Sequence, residues 1–385
     1  MSGISLFDYP WGQNLGDTVQ SLVLSRYLKE NFPYLSIKKI GRDFPCSEHL
    51  TYDFDDSGPS EKEKEILIKH QLLQCGWVTQ NPIRYIYLTT HSRAAIGIHA
   101  STGWPYSYPK LTFRDFFESQ TFRALFGQLQ CVTTRDFSTQ NFFSGLGVES
   151  TFSGCISSLA GNIDIPISVS RSDIVCFDLS EECLQHLARI TVRDISKYSN
   201  RIRGDLSENH RERLAGNLLS RIRSSELVLT TRLHVALPAI SMGVPSILII
   251  QDKDPRLDGL RSVLNTVDPD VFTKMSLKEL VNLANSRPIQ QLKMMQENSS
   301  NAISSSLEGI DELRGEIVFQ PRILTLEILS EIIQEKKRIA SFLTQEIQEV
   351  DASPSNFTGQ RVQERKSIFS LIATLRRLIR VNHFR

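Results

Sequence analysis

This 385-residue chain lacks an overall charge that would pull it toward a charged polymer and lacks an apolar run that would carry it through a membrane. Lys and Arg number 44 against 43 Asp and Glu, a net charge of +1, so no overall field attracts nucleic acid. The body also lacks a basic stripe interleaved with aromatic residues, which argues against a nucleic-acid partner. No run approaches the ~18 consecutive apolar residues of a membrane span. The N-terminus has neither the basic stretch nor the apolar core of a secretory signal, and a cytoplasmic location is expected. The six cysteines, Cys46, Cys75, Cys131, Cys155, Cys176 and Cys183, form no C-x-x-C pair and no cluster with histidine. That excludes a zinc knuckle; buried reduced thiols and no metal site are expected.

What remains is ordinary globular composition, 40% hydrophobic and 23% charged, in a chain too long for one core of ~250–300 residues. Apolar strands alternate with helical patterns throughout, which points to an α/β fold with parallel sheets. A first strand runs from Ile4 to Phe7. A loop rich in Gly, Asn and aromatics leads into a helix from about Thr18 to Lys29, for which Asp17 is the expected N-cap and Gln20 the capping-box partner. Further strands are expected at Tyr85–Leu88, at Cys131–Val132 and within Val148–Cys155. Helices are expected at 113–126 and 137–143.

Asn162 to Pro166 has the look of an inter-domain connection, after which Ile174 to Phe177 starts afresh as a strand. Helices follow at 181–189, 210–222, 277–284 and 323–342. The division expected is therefore 1–162, 163–345, and a remainder of 346–385 comprising a linker and tail. In that tail Arg361, Arg365, Lys366, Arg376, Arg377, Arg380 and Arg385 interleave with apolar residues. A basic amphipathic helix of this kind suits an anionic membrane surface, giving peripheral contact through residues 360–385. Docking on the body or on a partner is the alternative. Nothing fixes the oligomeric state.

The most informative stretch runs from Ser225 to Ile250. An apolar strand (Leu227 to Leu229) ends in Thr230-Thr231-Arg232, and a short helix begins with Leu233-His234. Gly243 and Pro245 stop that helix, and a second apolar strand follows. Arg232, Leu233 and His234 thus fall where a strand ends and a helix begins, the edge at which open α/β sheets bind ligands. The helix N-terminus there offers amides and partial positive charge to phosphate or carboxylate. Arg232 adds a bidentate fork, and His234 a group that exchanges protons near neutral pH. The plainer alternative is a satisfied core histidine beside an arginine paired to a carboxylate.

Four segments in order resemble the polysaccharide pyruvyl transferase family. They are Gly12-Gln13-Asn14-Leu15-Gly16-Asp17 followed by Gln20; Thr134-Arg135-Asp136 with Ser153-Gly154-Cys155; Thr231-Arg232-Leu233-His234; and Asp254-Pro255-Arg256-Leu257-Asp258-Gly259-Leu260. The resemblance covers about residues 3 to 262. It implies two Rossmann-like domains facing across a cleft in the glycosyltransferase-B arrangement; the helical tail expected beyond about Ser341 is not explained by it. It also implies transfer of pyruvate from phosphoenolpyruvate to a saccharide acceptor, with no cofactor.

On that resemblance Arg232 and His234 are implicated in donor binding and acid–base work. Asn14, Gly16 and Asp17 match the N-terminal loop, and Arg135 and Asp136 the middle motif. Asp17 is either the helix cap or a group facing the acceptor. Arg135 either holds phosphate or pairs with Asp136. His91 at a strand end and Arg256 in a loop are further substrate-binding candidates. The chain departs from many members where Thr191 is followed by Val192-Arg193-Asp194 rather than by a histidine. Two other functions stay open: a glycosyltransferase using a nucleotide sugar, and a non-catalytic carbohydrate-binding descendant.

Overall fold

The computed structural model describes residues 3–8, 13–41, 70–77, 89, 92–100, 113–167, 172–203, 206–251, 254, 257–286 and 289–308, with scattered positions between 327 and 341. The expected strand at 85–88, most of the helix expected at 323–342, and the linker and tail beyond 346 lie outside them.

Two all-parallel sheets carry the architecture, as the α/β expectation required. The first contains β1 (Gly3–Asp8), β2 (Ser36–Gly41), β3 (His70–Trp77), β4 (Ser92–His99), β5 (Cys131–Thr134) and β6 (Thr151–Phe152), in the order β2-β1-β3-β4-β5-β6. The second contains β7 (Ser172–Phe177), β8 (Ile195–Tyr198), β9 (Ser225–Thr230), β10 (Ser246–Ile249) and β11 (Thr266–Val267), in the order β11-β10-β9-β7-β8. Counted within its own sheet, each follows the same winding: the first strand lies between the second and third. The strand order therefore reverses between β1 and β3 in one sheet and between β7 and β9 in the other. In doubly wound folds such reversals open a crevice at the carboxyl ends of the strands, and ligands bind there.

The central strands are buried on both faces, which explains their unbroken apolar runs. Ile174 to Phe177, Leu227 to Leu229 and Ile247 to Ile249 are each almost wholly shielded. Helices supply the covering layers: α1 (Leu15–Asn31), α2 (Phe113–Glu118), α3 (Gln120–Gly127), α4 (Phe137–Gly145), α5 (Glu181–Ile190), α6 (Glu208–Arg223), α7 (Leu233–Ser241), α8 (Pro269–Phe272), α9 (Leu277–Asn285) and α10 (Ile289–Leu307). The helix expected across 113–126 is two helices, because Ser119 takes an extended conformation and caps α3 by accepting from the Phe122 amide.

The two sheets do not stand apart. Helix α1, which follows β1, packs against α6 and α7 of the second sheet. One apolar cluster joins Val19, Leu22 and Val23 to Ala215, Leu218, Leu219, Val235 and Ala239. Helix α10, late in the chain, returns to pack on β4 and β5. There Gly154 takes φ +69°, and a Cβ at that glycine would lie 2.0 Å from the Met295 sulfur.

Helix α1 begins earlier than its sequence suggests, and its cap differs. Asn14 is the N-cap, its side chain accepting from the Gly16 amide, and Asp17 sits inside the first turn. The N-cap role expected of Asp17 is therefore corrected. An asparagine one position before an apolar residue competes equally well for the amides. Gln20 forms no capping box either; it is buried, and its Oε1 accepts from the Cys155 thiol at 3.5 Å.

Candidate active site at the facing sheet edges

Both switch points deliver their residues to the same place. From the first sheet come the residues that follow β1, namely Asn14, Gly16 and Asp17. From the second come Asp178 after β7, Asn200 after β8, and Arg232 and His234 after β9. The closest approach is between Gly16 and His234. An ideal Cβ at Gly16 would fall 2.5 Å from His234 Nδ1 and 2.9 Å from His234 Cβ. Only a residue without a side chain lets the first turn of α1 lie flat on this imidazole, and that explains the glycine in the N-terminal motif.

The loops beside this contact are stitched together. Asn200 Nδ2 donates to Asn14 Oδ1 at 2.8 Å, the Leu15 amide to the Asn200 carbonyl at 2.9 Å, and the Ile202 amide to the Gln13 carbonyl at 2.9 Å. Asn14 and Arg201 form an antiparallel bridge. Asn200 is buried, and its Oδ1 has no hydrogen-bond partner among the described residues.

Arg232 is the N-cap residue of α7, but its side chain does not cap the helix. Its Nε donates to Asp178 Oδ2 at 2.7 Å, and its side chain stays about one-third exposed. Asp178 also accepts from Ser199 Oγ at 2.8 Å and from the Asn200 amide at 3.2 Å. Leu233 and His234 open α7, a nine-residue helix whose first turn points at the same edge. The Arg232 guanidinium and the helix amides thus converge on one edge, an arrangement that suits an anion.

A second polar group lies further along the first sheet. Arg135 and Asp136 follow β5, both almost fully buried, with Arg135 Nε 3.9 Å from Asp136 Oδ2. Asp136 caps α4 by accepting from the Thr139 amide at 2.8 Å and meets His99 Nδ1 at 2.5 Å. Burial by itself would raise the Asp136 carboxyl. The hydrogen bond and charge of His99, the charge of Arg135 and the Thr139 amide outweigh it and hold the group below the ordinary carboxylate range. Burial pushes the Cys155 thiol up, against the charge of Arg135 and its hydrogen bond with Ser157.

The structure thus brings together Asn14, Gly16, Asp17, Arg232, Leu233 and His234, and places Arg135 on the same carboxyl edge beside its predicted partner Asp136. His91 and Arg256 lie outside the described residues. Thr191 to Asp194, where the chain departs from the family pattern, lie between α5 and β8 at the amino edge of the second sheet. Three residues were not singled out from sequence: Asp178, Asn200 and His99. Each stands at or just past a strand end, a positional signal, but none belongs to a local motif. Among the described residues no cluster of three or more His, Cys, Asp or Glu could hold a metal ion. None of the described helices is long and apolar enough to cross a membrane.

Residues 14–253 match the family model described as polysaccharide pyruvyl transferase. None of the curated proteins matches the chain. Among solved structures, a functionally uncharacterized protein from Klebsiella pneumoniae is similar at 15% identity, over 65% of this chain and 84% of that one, with a TM-score of 0.39. The UDP-GlcNAc 2-epimerase from Neisseria meningitidis is similar at 12% identity, over 80% and 99%, with a TM-score of 0.41. A glycosyltransferase from Streptomyces nogalater is similar at 9% identity, over 82% and 100%, with a TM-score of 0.38. These likenesses are too distant to carry an assignment of chemistry.

Proposed function

The chain belongs to the polysaccharide pyruvyl transferase family and so to the polysaccharide-modifying transferases, and on that premise we propose that it moves pyruvate from phosphoenolpyruvate onto two hydroxyls of a saccharide. The product is a ketal, and phosphate is released. The observation that carries the proposal is the meeting of the two switch-point loops: Gly16 lies against the His234 ring, with Arg232 held beside it at the same edge.

In the reaction a proton adds to the donor methylene and makes it a methyl. One sugar hydroxyl attacks the adjacent carbon, phosphate leaves with its bonding electron pair, and the second hydroxyl closes the ketal. Of the two hydroxyl protons, one balances the proton given to carbon and the other departs with phosphate. Arg232 and the first-turn amides of α7 at Leu233 and His234 bind the donor anions. His234 moves the proton, a role typically worth about 10²–10⁴-fold. Asp17, which does not cap α1, takes a proton from an acceptor hydroxyl. Asn14 and Gly16 shape the acceptor side, and Arg135 steadies the phosphate. His91 and Arg256 remain candidate substrate contacts. No cofactor is required by this chemistry. A lipid-linked precursor of a cell-surface polysaccharide at the cytoplasmic face of a membrane would suit the basic tail.

Calorimetric titration with phosphoenolpyruvate, and separately with nucleoside diphosphates, tests the proposal. Phosphoenolpyruvate binding that Arg232→Ala abolishes supports it. Binding of a nucleoside diphosphate instead would replace the pyruvyl donor with a nucleotide sugar.

A further inference from the structure

Asp178 is the one non-glycine residue among those described with a positive φ, +53°. The left-handed conformation costs a non-glycine residue roughly 1–2 kcal/mol, less for aspartate, whose short polar side chain can bond locally. Such strain persists where surrounding contacts over-determine it. At Asp178 they do. Its amide donates to the Tyr198 carbonyl at 3.1 Å, and its own carbonyl accepts from Thr231 Oγ1 at 3.2 Å. Its carboxylate gathers Arg232 Nε, Ser199 Oγ and the Asn200 amide. Through Asn200 the network reaches Asn14 Oδ1 and the Leu15 amide at the head of α1.

We propose that Asp178 is a positioning residue of the donor site: it fixes the plane of the Arg232 guanidinium and, through Asn200, sets that guanidinium against the N-terminal loop of the facing sheet. The inference rests on the reading of Arg232 as the donor's anion anchor. The geometry divides the arginine's work. Asp178 takes the Nε edge, so the planar fork is oriented before the donor arrives. An arginine held this way loses less conformational freedom on binding than a free one. The 13% exposure of the Asp178 side chain against 36% for Arg232 fits a support behind a more accessible head group.

A carboxylate next to an anion site also has an opposing effect, because its charge repels the ligand. The two effects predict opposite signs for one substitution. Asp178→Asn keeps the shape, an acceptor oxygen for Ser199 and Asn200, and a residue that tolerates the left-handed backbone. It loses the charge that grips Arg232. If Asp178 only added negative charge, the variant would bind anions more tightly. If it positions Arg232, the variant binds them more weakly.

The experiment titrates the full chain with phosphoenolpyruvate, and separately with uridine diphosphate, in four forms: wild type, Asp178→Asn, Arg232→Lys and the double variant. The lysine keeps the charge but not the fork, so a measurable affinity remains. For the anion that wild type binds, Asp178→Asn is expected to weaken binding by about tenfold or more, the scale of one charge-assisted bond. In the Arg232→Lys background it should cause little further loss. Unchanged or tighter binding in Asp178→Asn would overturn the proposal. So would a loss that persists in full beside Arg232→Lys, since the aspartate would then act independently of the arginine. Wild type binding only uridine diphosphate would sink the pyruvyl reading while the same four-form comparison still decided Asp178. Wild type binding neither anion would sink both.

Discussion

Substituting Gly16 by alanine probes the contact on which the site depends. In an open helix the change normally stabilises by about 0.5–1 kcal/mol, because glycine loses more backbone freedom on folding. Here the added methyl would stand 2.5 Å from His234 Nδ1, 2.9 Å from its Cβ and 3.0 Å from its Cγ. Carbon–carbon contacts settle near 3.5–4.0 Å, so the overlap is on the order of 1 Å. Rotating the imidazole relieves the Nδ1 contact but not the one to Cβ, which the α7 backbone fixes. The heads of α1 and α7 must therefore separate. Overpacking of this kind costs about 1–3 kcal/mol, which set against the helical gain leaves a net loss of up to about 2.5 kcal/mol. A shift on the order of 1 Å among reacting groups also costs about 10²-fold in rate.

Denaturant unfolding reads the loss of stability, and phosphoenolpyruvate titration reads whether the displacement of His234 also weakens donor binding. Gly145→Ala is the internal control, since a Cβ there would meet nothing within 4 Å; it should unfold at the same or a slightly higher denaturant concentration. If Gly16→Ala matches that control in stability and binds the donor like wild type, then Gly16 does not lie on His234, and the site as described is wrong.

Asp136→Asn keeps the oxygen that caps α4 but removes the charge facing His99 and Arg135, and should destabilise at neutral pH by about 3 kcal/mol. The wild-type carboxyl is held below its ordinary value, so its contribution is complete above about pH 3.9 and is lost as pH falls through the lower folded value. The gap between variant and wild type in unfolding experiments should accordingly close below about pH 4; a constant gap would place the stabilisation elsewhere. Gly154→Ala combines a positive φ with a methyl 2.0 Å from the Met295 sulfur. It should be strongly destabilising, and adding Met295→Ala should recover the steric part but not the backbone part, measured as non-additivity in thermal unfolding. Residues 360–385 are expected to carry binding to anionic vesicles; equal sedimentation of the full chain and of a chain ending at 359 would refute that.

The sequence was legible where local pattern and tertiary environment agree. Helices α5 and α9 open on serines that cap them, α6 shares their apolar stripe, and the strands ending near Phe177 and Thr230 are unbroken apolar runs. Other elements did not announce themselves. Strand β4, Ser92–His99, is rich in Ala and Gly, which have low strand propensity. The small residues serve packing: Gly97, at φ +61°, brings its backbone close to the Gly154 carbonyl. Helix α10 is filled with Gln, Asn and Ser, a composition typical of loops. Its buried face includes Ser299, Ala302 and Ser306 because it lies close on the first sheet, where Ser299 Oγ donates to the Ser153 carbonyl.

By itself the sequence determined the α/β class and the R-x-H turn at the carboxyl end of β9, because strand ends, helix starts and apolar periodicity are local properties. The glycine-bearing loop before α1 was legible for the same reason. Only the tertiary structure decided that these two loops meet, that Asn14 rather than Asp17 caps α1, and that Asp178 grips Arg232 while His99 meets Asp136. Asp178 lies 54 residues from Arg232 and His99 lies 37 from Asp136. Pairings at such separations follow from the winding of each sheet and from the packing of α1 onto α6, and no local pattern of residues encodes them.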